Sequence, residues 1–301
     1  MFSKIINTLI IVICILTFGF VTYAAIAPFT PHKFIYQGVV DDEGFYDGVK
    51  SLNMQNTFVA WGKNTAEFGK TLDSIISKKR TPIVTVEPWG LVDGENYNFQ
   101  NLQGPTYKTA IEEICKSIDQ RGKKVILRWG HEMEQVGSRY PWASNDAEGF
   151  KSAYKFFVNT CRNETKLAEF MWSPAGQANL VNYYPGGDYV DIIGLSTFGY
   201  PEYEEKEFDN KLSFEDTFTE RYKRVEKYGK DVYLAEFGVA GDQDYQKKWM
   251  SQAKKAILDP LKYPNLRGIV YFHGGDAKPW VEGINPPNFR LQAQKVFPIV
   301  A

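Results

Sequence analysis

The chain has little cysteine and little histidine, three of each in 301 residues. His32, His131 and His273 lie far apart, and no His/Cys cluster has metal-ligand spacing. Neither a metal centre nor a cofactor is expected. There is no surplus of charge, the net value being −1. Nucleic acid and an electrostatically bound membrane surface are therefore not indicated as partners. No Gly-rich nucleotide loop follows any apolar run, which counts against an open dinucleotide-binding sheet. No repeat, linker or low-complexity stretch divides the chain.

What is present begins with a targeting signal. Lys4 precedes an almost wholly apolar stretch from Ile5 to Val21, and Ala25-Ile26-Ala27 offers the small residues of a cleavage site. We expect residues 1–27 to be removed after Ala27 in an exported, secreted or periplasmic protein, with an uncleaved membrane anchor as the alternative. Residues 28–301 would then form one domain, expected to be monomeric. Cys14 goes with the signal, leaving Cys115 and Cys161. Export permits a disulfide, but both fall on expected helices, and two buried free thiols are the expectation.

Eight β-rich apolar runs can be counted: Phe34–Val40, Thr57–Trp61, Pro82–Glu87, Val125–Trp129, Ala168–Ser173, Tyr189–Leu195, Asp231–Glu236 and Gly268–His273. Helical patterning lies between them at Ala66–Ser77, Lys108–Gln120, Ala147–Thr160, Phe214–Lys227 and Tyr245–Leu258. In the second of these, Ile111, Cys115 and Ile118 share one face. Strands alternating with helices imply right-handed βαβ units and a parallel sheet. Eight such strands, in a chain of this length, fit an α/β fold of the closed (β/α)₈ barrel type.

In such a barrel the chemistry gathers where strands end. Val125-Ile126-Leu127-Arg128-Trp129 breaks off into Gly130, His131 and Glu132. About one hundred residues later Leu234-Ala235 leads into Glu236 and Phe237-Gly238. Two glutamates at the C-terminal ends of two buried strands suit glycosidic bond cleavage with retention. One carboxyl protonates the leaving oxygen and the other attacks the sugar carbon, about 5–5.5 Å away. A structural ion pair with Arg128 would be the plain alternative for Glu132, and an exposed loop acid for Glu236. Arg128 would hold Glu87 or Glu236 ionised. His131 adjoins the acid and would donate to it or to a substrate hydroxyl.

Aromatic residues make up a high 15% of the chain; much of this is ordinary core, but flat rings also pack well on the apolar face of a sugar. Trp89, Trp142, Trp172 and Trp280 fall at strand ends or in the loops that follow them, where each is expected to face substrate. Tyr140-Pro141-Trp142 is the best candidate for a substrate-facing wall. Glu87 joins the list as the acid closing the third strand.

These residues resemble glycoside hydrolase family 26, a member of the clan of (β/α)₈ retaining glycosidases best known for endo-β-mannanases and β-1,3-1,4-glucanases. The resemblance spans nearly the whole mature chain. It rests on Val86-Glu87-Pro88-Trp89, Arg128-Trp129-Gly130-His131-Glu132-Met133, Met171-Trp172-Ser173-Pro174, Tyr183-Tyr184-Pro185-Gly186 with Asp188 to Gly194, and Ala235-Glu236-Phe237-Gly238. It implies that Glu132 is the acid/base, Glu236 the nucleophile, and His131 a contact to the sugar at the cleavage point. It also implies an endo-acting hydrolase of a β-linked polysaccharide. The pattern departs after the sixth strand, where a tyrosine reaching toward the nucleophile is usual. Here Ser196-Thr197-Phe198 stands instead, and Tyr200 is the first ring bearing a hydroxyl. The usual Asn-Gly after the acid is also replaced, by Glu134-Gln135-Val136-Gly137. Two other readings are a non-catalytic polysaccharide-binding barrel and a transglycosylase or hydrolase tied to exopolysaccharide synthesis.

Overall fold

The computed structural model describes residues 34–60, 65–90 and 97–291. The signal segment, Cys14, His32 and Trp61 lie outside the described residues. Eight parallel strands close in chain order into a barrel: β1 Tyr36–Val40, β2 Met54–Ala60, β3 Thr81–Glu87, β4 Val125–Trp129, β5 Ala168–Trp172, β6 Ile192–Gly199, β7 Asp231–Val239 and β8 Leu266–Phe272. Helices α1 (Thr65–Ser77), α2 (Pro105–Asp119), α3 (Ala147–Glu164), α4 (Pro201–Phe208), α5 (Phe214–Glu226) and α6 (Gln243–Leu258) lie between strands.

The two-residue alternation of a strand sorts side chains to two faces. On β4, Val125, Leu127 and Trp129 join the helix-facing core with Ile111, Cys115 and Phe157. Ile126 points the other way, into an interior cluster that takes at least one residue from every strand. Its members are Val40, Met54, Ile83, Ile126, Met171, Ile192, Tyr233, Ala235 and Val270. This apolar plug fills the barrel interior and separates the polar groups at its two ends.

Local signals account for the helices. Pro105 starts α2, where a missing N–H costs nothing. Asp146 caps α3 by accepting from the Gly149 amide at 2.8 Å, and Ser213 with Asp216 forms a reciprocal capping box on α5.

Several expectations need correction. Cys115 of α2 and Cys161 of α3 are not free thiols but a disulfide, with Cα atoms 5.4 Å apart. Consecutive barrel helices lie side by side, which brings together two buried positions 46 residues apart in sequence. β2 begins at Met54 rather than Thr57, and β6 runs on to Gly199 rather than stopping at Leu195. Tyr189 belongs to a short 3₁₀ turn, not a strand. Between β1 and β2 the chain makes turns rather than a helix, held where the Asp41 carboxylate accepts from the Phe45 and Tyr46 amides.

Candidate active site

The strand ends place a polar tier above the plug. Arg128, wholly buried near the end of β4, points inward. Its Nε donates to Ser173 Oγ at 2.8 Å, and its Nη1 to Glu236 Oε1 at 2.6 Å and to Thr85 Oγ1 at 3.3 Å. The Thr85 hydroxyl in turn donates to Asn56 Oδ1. Side chains from β2, β3, β4, β7 and the end of β5 thus fix one guanidinium against one carboxylate.

Glu236 reaches this tier through an irregularity. Leu195 pairs with Leu234 but Ser196 pairs with Glu236, so Ala235 is an extra residue on β7. The same slip appears against β8, where Leu234 to Phe237 spans only Ile269 to Tyr271. A bulge of this kind re-aims a side chain. Here Ala235 still faces the plug while Phe237 returns to the outer core, and Glu236 is turned toward Arg128. Only 8% of Glu236 is exposed. Burial pushes its carboxyl up, the nearby Glu132 charge adds to this, and Arg128 opposes both; the result is a pKa of about 7.

Glu132 follows a sharp break at the end of β4. Gly130 takes φ +55°, with its amide donating to the Val86 carbonyl. Glu132 itself has φ +55°, one of three non-glycine residues with positive φ among the described residues. Its amide donates to the Ser173 carbonyl at 2.8 Å. A glutamate held in this unfavourable region costs on the order of 1 kcal/mol, and such strain gathers at functional sites. Its side chain is half-buried, and its charge is felt at Glu236.

His131 is buried, and its Nε2 lies 3.0 Å from the Tyr140 hydroxyl. Burial and the charges of Arg128 and Arg139 hold its pKa well below the ordinary value, so the ring is neutral. Its other nitrogen, Nδ1, has no protein partner. Glu87 accepts from Trp89 Nε1 at 3.2 Å, and Arg128 pairs with Glu236 rather than with Glu87.

The four tryptophans part company. Trp89 is half-buried and meets the edge of Trp142 at 5.0 Å. Trp280, 38% exposed, packs on Phe198 and Tyr200 in the loop after β8. Trp142 is fully buried beneath Tyr140, stacked at 4.7 Å, and its Nε1 donates to the His131 carbonyl at 2.6 Å. It props the backbone entering Glu132 and presents no face to a ligand. Trp172 is fully buried in the helix-facing core against Tyr184 and Tyr228, because its parity on β5 is opposite to that of Met171, which lines the interior. Neither of these two is a stacking platform.

Tyr200 does not take the place of the missing tyrosine beside Glu236. Its hydroxyl donates to the Asn285 carbonyl, not to Glu236, since two further residues carry it past the strand end onto the start of α4. Phe198 lies at the barrel mouth against Phe272 and Phe289. Glu134 was not singled out from the sequence. It is 1% exposed and accepts from the Gly176 amide at 2.8 Å, tying the loop after β5 to the loop after β4. A carboxylate two residues beyond Glu132 in an otherwise uncharged turn was the available signal. Among the described residues no cluster of His, Cys, Asp or Glu could hold a metal ion.

An eight-stranded barrel whose mouth carries two acids, one clamped by an arginine, has the groups that glycosidic bond cleavage by paired carboxyls requires. Residues 90–220 match the model of glycosyl hydrolase family 26. A mannan endo-1,4-β-mannosidase of Caldalkalibacillus mannanilyticus is 28% identical over 214 residues, covering 61% of this chain and 37% of that protein. A β-1,3-xylanase of a Vibrio species is 26% identical over 34% of this chain and 23% of its own length. The chain thus spans well under half the length of these relatives. Among solved structures, the catalytic domain of a family 26 endo-β-1,4-mannanase from Bacillus sp. JAMB-750 shares the fold with TM-score 0.59 at 15% identity, covering 80% of this chain and 77% of that one. A family 26 β-mannanase from Bacteroides ovatus does so with TM-score 0.56 at 14% identity, over 80% and 81%. The family model and the similarity to a mannan endo-1,4-β-mannosidase point to glycoside hydrolase family 26, and the solved neighbours share the barrel fold.

Proposed function

We propose that this chain is a retaining β-glycoside hydrolase of a β-linked polysaccharide, with Glu236 as nucleophile and Glu132 as acid/base. The observation that carries the reading is the bulge on β7, which turns Glu236 onto the Arg128 guanidinium at 2.6 Å. A carboxylate so held is aimed, and the guanidinium favours its ionised form against the burial that opposes it. Glu236 attacks the anomeric carbon while the glycosidic bond breaks toward its oxygen, which takes the proton of Glu132. Glu132 then removes a proton from water, and that water releases the sugar from Glu236. His131, neutral and with Nδ1 unpartnered, donates to a hydroxyl of the sugar at the cleavage point. Trp89 and Trp280 are the platforms left for flanking sugars.

The relatives' names guide the choice of substrate. One is named a mannan endo-1,4-β-mannosidase and another a β-1,3-xylanase, so β-mannan is the first candidate, with β-1,3-xylan and mixed-linkage glucan next. Export through residues 1–27 and a monomeric state belong to the same proposal. No helix among the described residues is long and apolar enough to cross a membrane.

Screening purified protein on these three polymers, together with Glu132→Ala and Glu236→Ala, tests the reading. Each variant should lose several orders of magnitude of turnover while keeping its fold. Azide should partly rescue Glu236→Ala with inverted product, because a small anion replaces the lost nucleophile. Near wild-type turnover in either variant would rule out the assignment.

A further inference from the structure

The loops after β4 and β8 are joined over the barrel mouth. Arg139 Nη1 lies 3.5 Å from Asp276 Oδ1, linking residues 137 apart in sequence. In a barrel closed in the order β1 to β8, β4 and β8 stand on opposite sides, so this contact crosses the opening rather than running along its rim.

The crossing is part of a longer run of bonds. Trp280 Nε1 donates to Asp276 Oδ2 at 2.6 Å. Arg139 Nη2 donates to the Tyr140 hydroxyl at 2.9 Å, which in turn meets His131 Nε2 at 3.0 Å. From His131 beside Glu132 to Trp280 beside Phe198, one chain of polar contacts spans the mouth. Its β8 end is held by the backbone: the Asp276 amide donates to the Pro287 carbonyl and the Phe289 amide to that of Gly274. The Asp276 side chain is 18% exposed against 66% for Arg139, so the strap has a fixed post and a movable arm. The charge of the arm favours the ionised form of Glu236.

Resting on the hydrolase reading above, we propose that the Arg139–Asp276 pair is a specificity strap favouring chain ends and short oligosaccharides over the interior of a polymer. A polysaccharide laid across an open mouth needs no free end. Under a strap, the chain must thread or wait for the ion pair to open. A half-exposed ion pair opens readily, so the strap biases the choice by about fivefold rather than forbidding interior attack.

The test compares wild type with Asp276→Asn, which keeps an acceptor for Trp280 but removes the charge facing Arg139. Arg139→Gln serves as the second variant. On soluble β-mannan, the fall in viscosity per new reducing end should rise about fivefold in both, while Asp276→Asn leaves turnover of a mannopentaose unchanged. An equal ratio in wild type and variants would overturn the strap while leaving the hydrolase reading intact. Should wild type hydrolyse neither, the same comparison is made on β-1,3-xylan and mixed-linkage glucan with their pentasaccharides; if none of the three is cleaved, that reading has failed, and binding decides the strap. Association with the polymer, but not with the pentasaccharide, should then be faster in Asp276→Asn; equal association would overturn it.

Discussion

Replacing Arg128 by Gln should move the acid limb of the pH–rate profile rather than lower activity evenly. The guanidinium is wholly buried and touches Glu236 at 2.6 Å, and Glu236 titrates at about 7 even with this help. A buried hydrogen bond to a charged group contributes about 1.5–3 kcal/mol. At about 1.4 kcal/mol per pKa unit, its loss raises the carboxyl by roughly one to two units. At pH 7 the ionised fraction then falls from about half to between a tenth and a hundredth, a roughly five- to fiftyfold loss in kcat/KM by the same arithmetic. Much of this should return as the pH is raised toward 9, because hydroxide does what Arg128 no longer does. Arg128→Lys should fall between the two. The assay is kcat/KM against pH on a soluble oligosaccharide, with circular dichroism confirming the fold. An acid limb unmoved in Arg128→Gln, or a loss equal at every pH, would refute the argument.

Four further outcomes follow from the contacts described. Converting Cys115 and Cys161 to Ala should cost up to about 4 kcal/mol by the loop-entropy estimate for a 46-residue closure, seen as a lower melting temperature with unchanged kcat at 25 °C. Tyr200→Phe should leave kcat within about twofold, since its hydroxyl serves the Asn285 carbonyl; a drop of a hundredfold would restore a role beside Glu236. Trp280→Ala should weaken binding of long oligosaccharides more than short ones, by about 1 kcal/mol. Trp142→Ala should instead cost about 3–5 kcal/mol of stability, as calorimetry with and without a bound oligosaccharide would distinguish.

The barrel was legible because parallel strands buried on both faces read as short continuous apolar runs, and Val125–Trp129 is such a run with matched bounds. Both acids were legible for the same reason, each ending one of these runs. What escaped depends on parity and on distance in sequence. Trp172 sits at a strand end, but its position is odd or even relative to Met171, and a single step decides between mouth and outer core. Trp142 is hidden by Tyr140, its near neighbour, which no local pattern reveals. The bulge at Ala235 depends on how β6 and β8 pair with β7, so the sequence marks Glu236 but not the turn that aims it. The disulfide and the Arg139–Asp276 contact join residues 46 and 137 apart, and neither partner signals the other.

The most direct test of the account is the anomer formed first. Proton NMR of a β-linked oligosaccharide during the first minutes of hydrolysis should show the β-anomer of the new reducing end, with the α-anomer growing in later by mutarotation. This is the outcome of two successive inversions, the first at Glu236 and the second by water activated at Glu132. The α-anomer appearing first would mean a single displacement by water, and Glu236 would not be the nucleophile.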